Sequence, residues 1–174
     1  MRGDAADRAH PPGDVRTERC VLDRLSEADR RWLARLLADP WVWRHLGGPK
    51  PEAEVPRIVE GYLARSAGGG LWAVRAAADR APLGLLFLGE HHDGADVEVS
   101  CLLAPERWGR GLATEALAGL LAHARAELGL RRVVAETQAA NGASRRVLER
   151  LGMRPERRVV RFGEEQVIYA LDLG

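Results

Sequence analysis

The stretch that decides the fold runs from Pro105 to Met153 and reads PERWGRGLATEALAGLLAHARAELGLRRVVAETQAANGASRRVLERLGM. Within it, Trp108-Gly109-Arg110-Gly111-Leu112-Ala113 stands between an apolar strand-like run and a strongly periodic helix. Leu112, Ala116, Leu117, Leu120, Leu121, Ala124 and Leu128 recur at helical spacing, and Gly129 stops the helix. A helix start leaves backbone N–H groups unpaired, and the helix dipole favours negative charge there. A glycine turn at such a start is therefore a place to hold phosphate, because glycine removes the side chains that would keep an anion away. By itself the turn reads first as a plain strand-to-helix connection. It is no dinucleotide fingerprint, since Thr114 stands where the third glycine belongs, and no Gly-Lys-Ser/Thr follows as in a P-loop.

The second half of the stretch adds weight. Arg132 to Thr137 reads as a strand, Asn141 caps a helix carrying Val147, Leu148 and Leu151, and Gly152 sits just past its end. Two consecutive strand-to-helix junctions with polar helix starts then share one sheet edge, where α/β sheets bind ligands.

Upstream, Val15 to Leu25 reads as a strand, and Ser26 with Asp29 begins a helix with an apolar stripe from Trp32 to Leu37. Pro40 to Leu46 and Pro51 to Ser66 read as two more helices. Leu71 to Ala78 and Leu83 to Leu88 form a hairpin, and Asp96 to Leu103 is the next strand. Arg154 to Phe162 and Gln166 to Leu173 close the chain as two strands. The order predicts an α/β (α+β) fold, a mixed, mostly antiparallel central sheet with helices on both faces. Residues 1–14, polar and proline-containing, read as a disordered leader, and 15–174 as one domain.

Bulk composition narrows the classes. The chain has 174 residues, 46% hydrophobic and 29% charged, with a net charge of +1. That balance gives no field for nucleic acid, and no run is long enough to span a bilayer. Lys50 is the only lysine, so the scattered arginines read as coding bias and solvated surface. Cys20 and Cys101 lie far apart without metal-ligand spacing, so neither a disulfide framework nor a metal site is expected, and the default location is the cytoplasm.

With both motifs in view, the chain resembles the GCN5-related N-acetyltransferases (GNAT). P-E-R-W-G-R-G-L-A-T-E-A and N-G-A-S-R-R-V-L-E-R-L-G-M carry the likeness. It is strong over Glu98 to Met153, and it is narrowest to the branch that acetylates the N-termini of ribosomal proteins (RimJ/RimL-type). The resemblance implies acetyl-CoA as cofactor and the GNAT fold. Its pyrophosphate loop falls on Trp108, Gly109, Arg110, Gly111, Leu112 and Ala113, with Trp at the position usually held by Gln or Arg. The backbone of Cys101, Leu102 and Leu103 would pair with the pantetheine arm and stabilise the oxyanion. Asn141 would hydrogen-bond that arm. The tyrosine that protonates the leaving thiolate in many members falls on Leu148, so the role passes to Ser144, the serine of N-x-x-S. Arg145 and Arg146 are candidates for cofactor phosphates, at least one of them being solvated surface. Members often form homodimers.

A protonated amine cannot attack a thioester, so a carboxylate must take its proton. Glu98 is the first candidate and Glu136 the second; Glu115 reads as structural, complementing the helix dipole. His91-His92-Asp93 is read as an ordinary turn, His45 and His123 as isolated, and Cys101 as an inert thiol. Trp41, Trp43 and Trp72 are read first as core, with rings on the acceptor-side helices available to line a substrate slot. The expected function is acetyl transfer to a primary amine, either a protein N-terminus or a small molecule such as an aminoglycoside or polyamine. A non-catalytic acyl-CoA-binding module is the rival of a different class.

Overall fold

The computed structural model describes residues 14–94 and 96–174, so the expected leader lies outside the described residues apart from Asp14. In chain order the strands are β1 (Val15–Arg16), β2 (Cys20–Asp23), β3 (Leu71–Ala76), β4 (Pro82–Glu90), β5 (Val97–Leu103), β6 (Arg132–Gln138), β7 (Arg154–Arg161) and β8 (Glu164–Asp172). The helices are α1 (Arg30–Ala38), α2 (Pro40–Trp43), α3 (Val55–Ala67), α4 (Leu112–Ala126) and α5 (Gly142–Arg150).

The strands form one sheet in the order β1-β2-β3-β4-β5-β6-β8-β7. Every neighbouring pair is antiparallel except β5 with β6. Strand alternation splits the core into two layers. Trp72, Val74, Leu86, Leu88, Val99 and Leu103 face α4 and α5, whereas Leu71, Ala73, Leu85, Phe87 and Leu102 face α1, α2 and α3. The apolar stripe of α4 from Leu112 to Ala124 is buried as its spacing predicts, each large side chain contributing roughly 1.5–3 kcal/mol.

Two expectations need correction. The strand read over Val15 to Leu25 is two strands, because Thr17 closes a turn on Cys20, its N–H donating to the Cys20 carbonyl at 2.9 Å and its hydroxyl accepting from the Cys20 N–H at 3.0 Å. The helix read over Pro40 to Leu46 is a single turn ending at Trp43, capped by Asp39 Oδ1, which accepts from the N–H groups of Trp41 at 2.8 Å and Val42 at 3.2 Å.

The β1–β2 turn is pinned to α4 by Glu115. Its Oε1 accepts from the Thr17 hydroxyl and the Arg19 N–H, both at 2.6 Å, and its Oε2 from Arg19 Nε at 2.7 Å. Burial pushes this carboxyl up, but those bonds outweigh it and hold it below the usual range. The structural reading of Glu115 therefore stands, with a tertiary contact added to the dipole argument. A second polar anchor ties β2, β3 and α1: Arg75 reaches Asp23 at 2.7 Å and Asp29 at 2.8 Å, its side chain 11% exposed.

Candidate active site

On one side β5 pairs with β4 from Val97 to Leu103. On the other it meets β6 at a single register pair, Glu98 with Val134. Past that pair a cleft of about 700 Å³ opens, walled by Ser100 to Leu103 on one side and Ala135 to Thr137 on the other. The sheet is thus split where the two parallel strands stop bonding, and among the described residues the β5 edge facing the cleft has no strand partner there. Backbone groups in that position must find other partners or water.

The glycine turn forms one end of the cleft. Gly109 and Gly111 have φ of 73° and 76°, left-handed conformations that suit glycine. Gly111 is the N-cap of α4, and Leu112, Ala113 and Thr114, whose N–H groups have no intrahelical partner, line the cleft. Trp108 anchors the turn through its indole N–H, which donates to the Leu103 carbonyl at 2.8 Å. The Leu103 carbonyl, expected to serve the cofactor arm, is thereby bonded within the protein. Arg110 does not line the cleft; its carbonyl accepts from Arg19 Nη1 at 3.0 Å.

Two polar groups that sequence reading did not single out stand here. Thr114 Oγ1 and Arg107 Nε are buried and have no hydrogen-bond partner among the described residues, and both residues line the cleft. Unpaired buried donors beside a helix start fit a pyrophosphate, which supplies acceptor oxygens to both. Their signal was present in the sequence, as an arginine and a threonine flanking the glycines, but burial alone shows that they need a partner.

Asn141 and Ser144 lie in the same cleft at the start of α5. The Asn141 Oδ1 accepts from the Ser144 N–H at 3.1 Å, so this side chain is an N-cap as well as a cleft residue. No described residue bonds the Ser144 hydroxyl, and Leu148 is buried one turn further along. Of the two neighbouring arginines, Arg145 is structural: it donates to the Tyr169 hydroxyl at 3.0 Å and to the Ala139 carbonyl at 3.4 Å. Arg146 lines the cleft.

The two candidate carboxylates differ sharply. Glu136 is 7% exposed and accepts from Arg161 Nη1 at 2.6 Å, with His91 Nε2 at 3.0 Å. Glu98 has no ion-pair partner among the described residues and lines the cleft. Burial lifts its carboxyl above the ordinary range; His91 and His92 pull it back, and Glu136 adds to the rise. The His91-His92-Asp93 turn is thus no bystander. His91 is buried against Glu136, and Asp93 pairs with Arg161 at 2.9 Å and with Arg157. Among the described residues no cluster of His, Cys, Asp and Glu could hold a metal.

Further residues assemble only in three dimensions. His45 Nδ1 lies 2.9 Å from Gln138 Oε1 at the cleft wall. Trp72 and Trp43 are buried, as read, but Trp41 is 62% exposed at the cleft, because the single turn of α2 leaves its ring beyond the α1–α3 core. The Cys101 thiol is pushed up to about 12 by desolvation, with Cys20 adding to it, and so stays neutral and unreactive at physiological pH.

A cleft opens between splayed parallel strands, with a glycine turn and a helix start at one end and Glu98 inside. A family model described as an acetyltransferase (GNAT) domain matches residues 19–154, and this chain belongs to that family. It is an acetyltransferase, and acetyl-CoA is its acyl donor. Solved structures agree on the fold. A GNAT-family acetyltransferase from Bacillus anthracis is 20% identical, with a TM-score of 0.81 over 92% of this chain and 99% of that one. Spermidine N-acetyltransferase from Vibrio cholerae, in complex with CoA and spermine, is 17% identical, with a TM-score of 0.76 over 90% and 97%. RimJ from Mycobacterium smegmatis, in complex with CoA-disulfide, is 24% identical, with a TM-score of 0.71 over 88% and 81%.

Proposed function

We propose that this chain acetylates a primary amine by direct attack, with Glu98 as base and Ser144 as acid. Bound acetyl-CoA supplies an activated thioester carbonyl. The turn from Trp108 to Ala113, with Thr114 and Arg107, would hold its phosphates, and the open edge of β5 at Cys101 and Leu102, with Asn141, its pantetheine arm. Glu98 takes the proton from the incoming ammonium nitrogen. Backbone N–H groups on the β5 edge offset the negative charge that develops on the acyl oxygen. As the tetrahedral adduct collapses and the C–S bond breaks, the Ser144 hydroxyl delivers a proton to the departing sulfur, and the second proton shed by the attacking nitrogen restores the hydroxyl through solvent.

The observation that carries this reading is the contrast between Glu98 and Glu136. A carboxylate held by Arg161 and His91 is neutralised as a base, whereas Glu98 is raised and free to accept. The Asn-x-x-Ser start of α5 favours the branch that modifies protein N-termini, to which the ribosomal L7/L12 alpha-N-protein acetyltransferase RimL, a similar structure, belongs. The free thiols of Cys20 and Cys101 fit a reducing cytoplasm.

The test is thiol release from acetyl-CoA in the presence of N-terminal peptides, amino acids, aminoglycosides and polyamines. Release above background hydrolysis with at least one amine is expected. Tight acetyl-CoA binding with no amine-dependent release in any class would overturn the reading.

A further inference from the structure

The cleft holds a cation set beside the candidate base. Arg65, in the last turn of α3, lies across β4 with its guanidinium 5.6 Å from the centre of the Phe87 ring. Its terminal nitrogen occupies the space over Gly89, where a Cβ would stand 2.6 Å from Nη2. Gly89 is the register partner of Glu98. Directly opposed residues of antiparallel strands have Cβ positions about 5 Å apart. Arg65 and Glu98 therefore share the face of the sheet that looks toward α3, on neighbouring strands, and both line the cleft.

No ion pair joins them. The Arg65 guanidinium contacts the Phe87 ring, and the cations that act on Glu98 are His91 and His92. A second guanidinium, Arg44, stands at the mouth between the rings of Trp41 and Trp108, 5.8 Å and 5.5 Å from their centres. A polycationic acceptor would meet Arg65 and Arg44 on its way to Glu98. An acceptor that carries its own anion would satisfy them.

Resting on the acetyltransferase reading above, we infer that the acceptor is a primary amine bearing a carboxylate close to its nitrogen, with Arg65 reading the carboxylate while Glu98 takes the ammonium proton. An arginine fork matches a carboxylate in geometry and holds it by charge-assisted hydrogen bonds. Phe87 and Tyr62, edge to face at 5.6 Å, support the guanidinium from below and limit where it can swing. The chemistry fits a free amino acid or the N-terminus of a peptide with an acidic residue at its first or second position.

The experiment compares matched acceptors at saturating acetyl-CoA, following thiol release: amino acids against their amides, and peptides beginning with Asp or Glu against those with Asn or Gln. Spermidine serves as the cationic member. Binding of the same acceptors to the enzyme–CoA complex is measured by calorimetry. Carboxylate acceptors are expected to exceed their amides by about tenfold or more in kcat/KM, the size of one hydrogen bond to a charged group. Arg65→Gln is expected to bring that ratio close to one, and Arg65→Lys to restore part of it. Gly89→Ala keeps the charge but displaces the guanidinium with its new Cβ, and is expected to lower the ratio as well. Which matched pair shows the larger ratio distinguishes free amino acid from acidic peptide.

Equal use of carboxylate and amide acceptors, a preference that survives Arg65→Gln, a preference for spermidine, or no binding of any carboxylate-bearing amine would each overturn the inference. In the first three outcomes acetyl transfer itself persists, so failure of the specificity is separable from failure of the enzymatic reading.

Discussion

Glu98 and Val134 are the one register pair between β5 and β6 among the described residues, and the split in the sheet begins just beyond them. The base candidate therefore stands at the apex of the cleft, where the sheet still excludes water on one side and the opening admits a substrate on the other. That placement accounts for its raised carboxyl: burial disfavours the charge and outweighs the pull of His91 and His92.

The sign of its pH dependence follows. A base must be ionised to act, and a raised carboxyl ionises only above the ordinary carboxylate range of about 4.3. The acidic limb of kcat/KM is expected above that range, and Glu98→Gln is expected to remove it along with most of the rate. A limb unchanged in Glu98→Gln assigns the titration to another group. The same raised value means that ionising Glu98 costs stability as pH rises through it. Glu98→Gln is thus expected to melt at a higher temperature than the native chain at neutral pH, with the gain vanishing in acid.

Ser144→Ala removes the proposed acid and leaves the Asn141 cap intact, because the cap uses the backbone N–H of residue 144. The expected result is a fall in kcat of roughly a hundredfold, at the lower end of general-acid contributions, with acetyl-CoA affinity nearly unchanged by calorimetry. Unaltered turnover would remove Ser144 from the mechanism.

Gly111 holds φ of 76° at the N-cap of α4, and a Cβ there would come within 3.5 Å of Arg19 Nη2. That contact is ordinary packing, so the cost of Gly111→Val is the left-handed strain, about 1–3 kcal/mol. Loss of acetyl-CoA binding is expected in a chain that keeps its circular dichroism. Retained affinity would sink the cradle.

Arg75 balances two acids whose side chains are nearly buried, Asp23 and Asp29. Arg75→Met leaves both without their cation, and breaking such a buried pair costs about 3–5 kcal/mol. Urea unfolding should show a midpoint shift of that size; a shift under about 1 kcal/mol would mean that water reaches the acids in the native state.

By itself the sequence determined the order of elements, the α4 stripe, the glycine turn and the capped start of α5. These are local matters: helical spacing, caps and chain-reversing glycines act over a few residues, so they can be read from neighbours along the chain. It also placed Glu98, Asn141 and Ser144 as candidates, and the structure brings all three into one cleft. Tertiary structure alone separated Glu98 from Glu136, since what disarms Glu136 is Arg161, 25 positions away, and His91, 45 away. It also took Arg145 out of the cleft, gave Glu115 its partners in the β1–β2 turn, exposed Trp41 and left Thr114 and Arg107 without partners. Arg65 came to share a sheet face and a cleft with Glu98 only through the β4–β5 register. The charge state and availability of a side chain depend on which distant groups the fold packs against it, and no local pattern in the chain encodes that pairing.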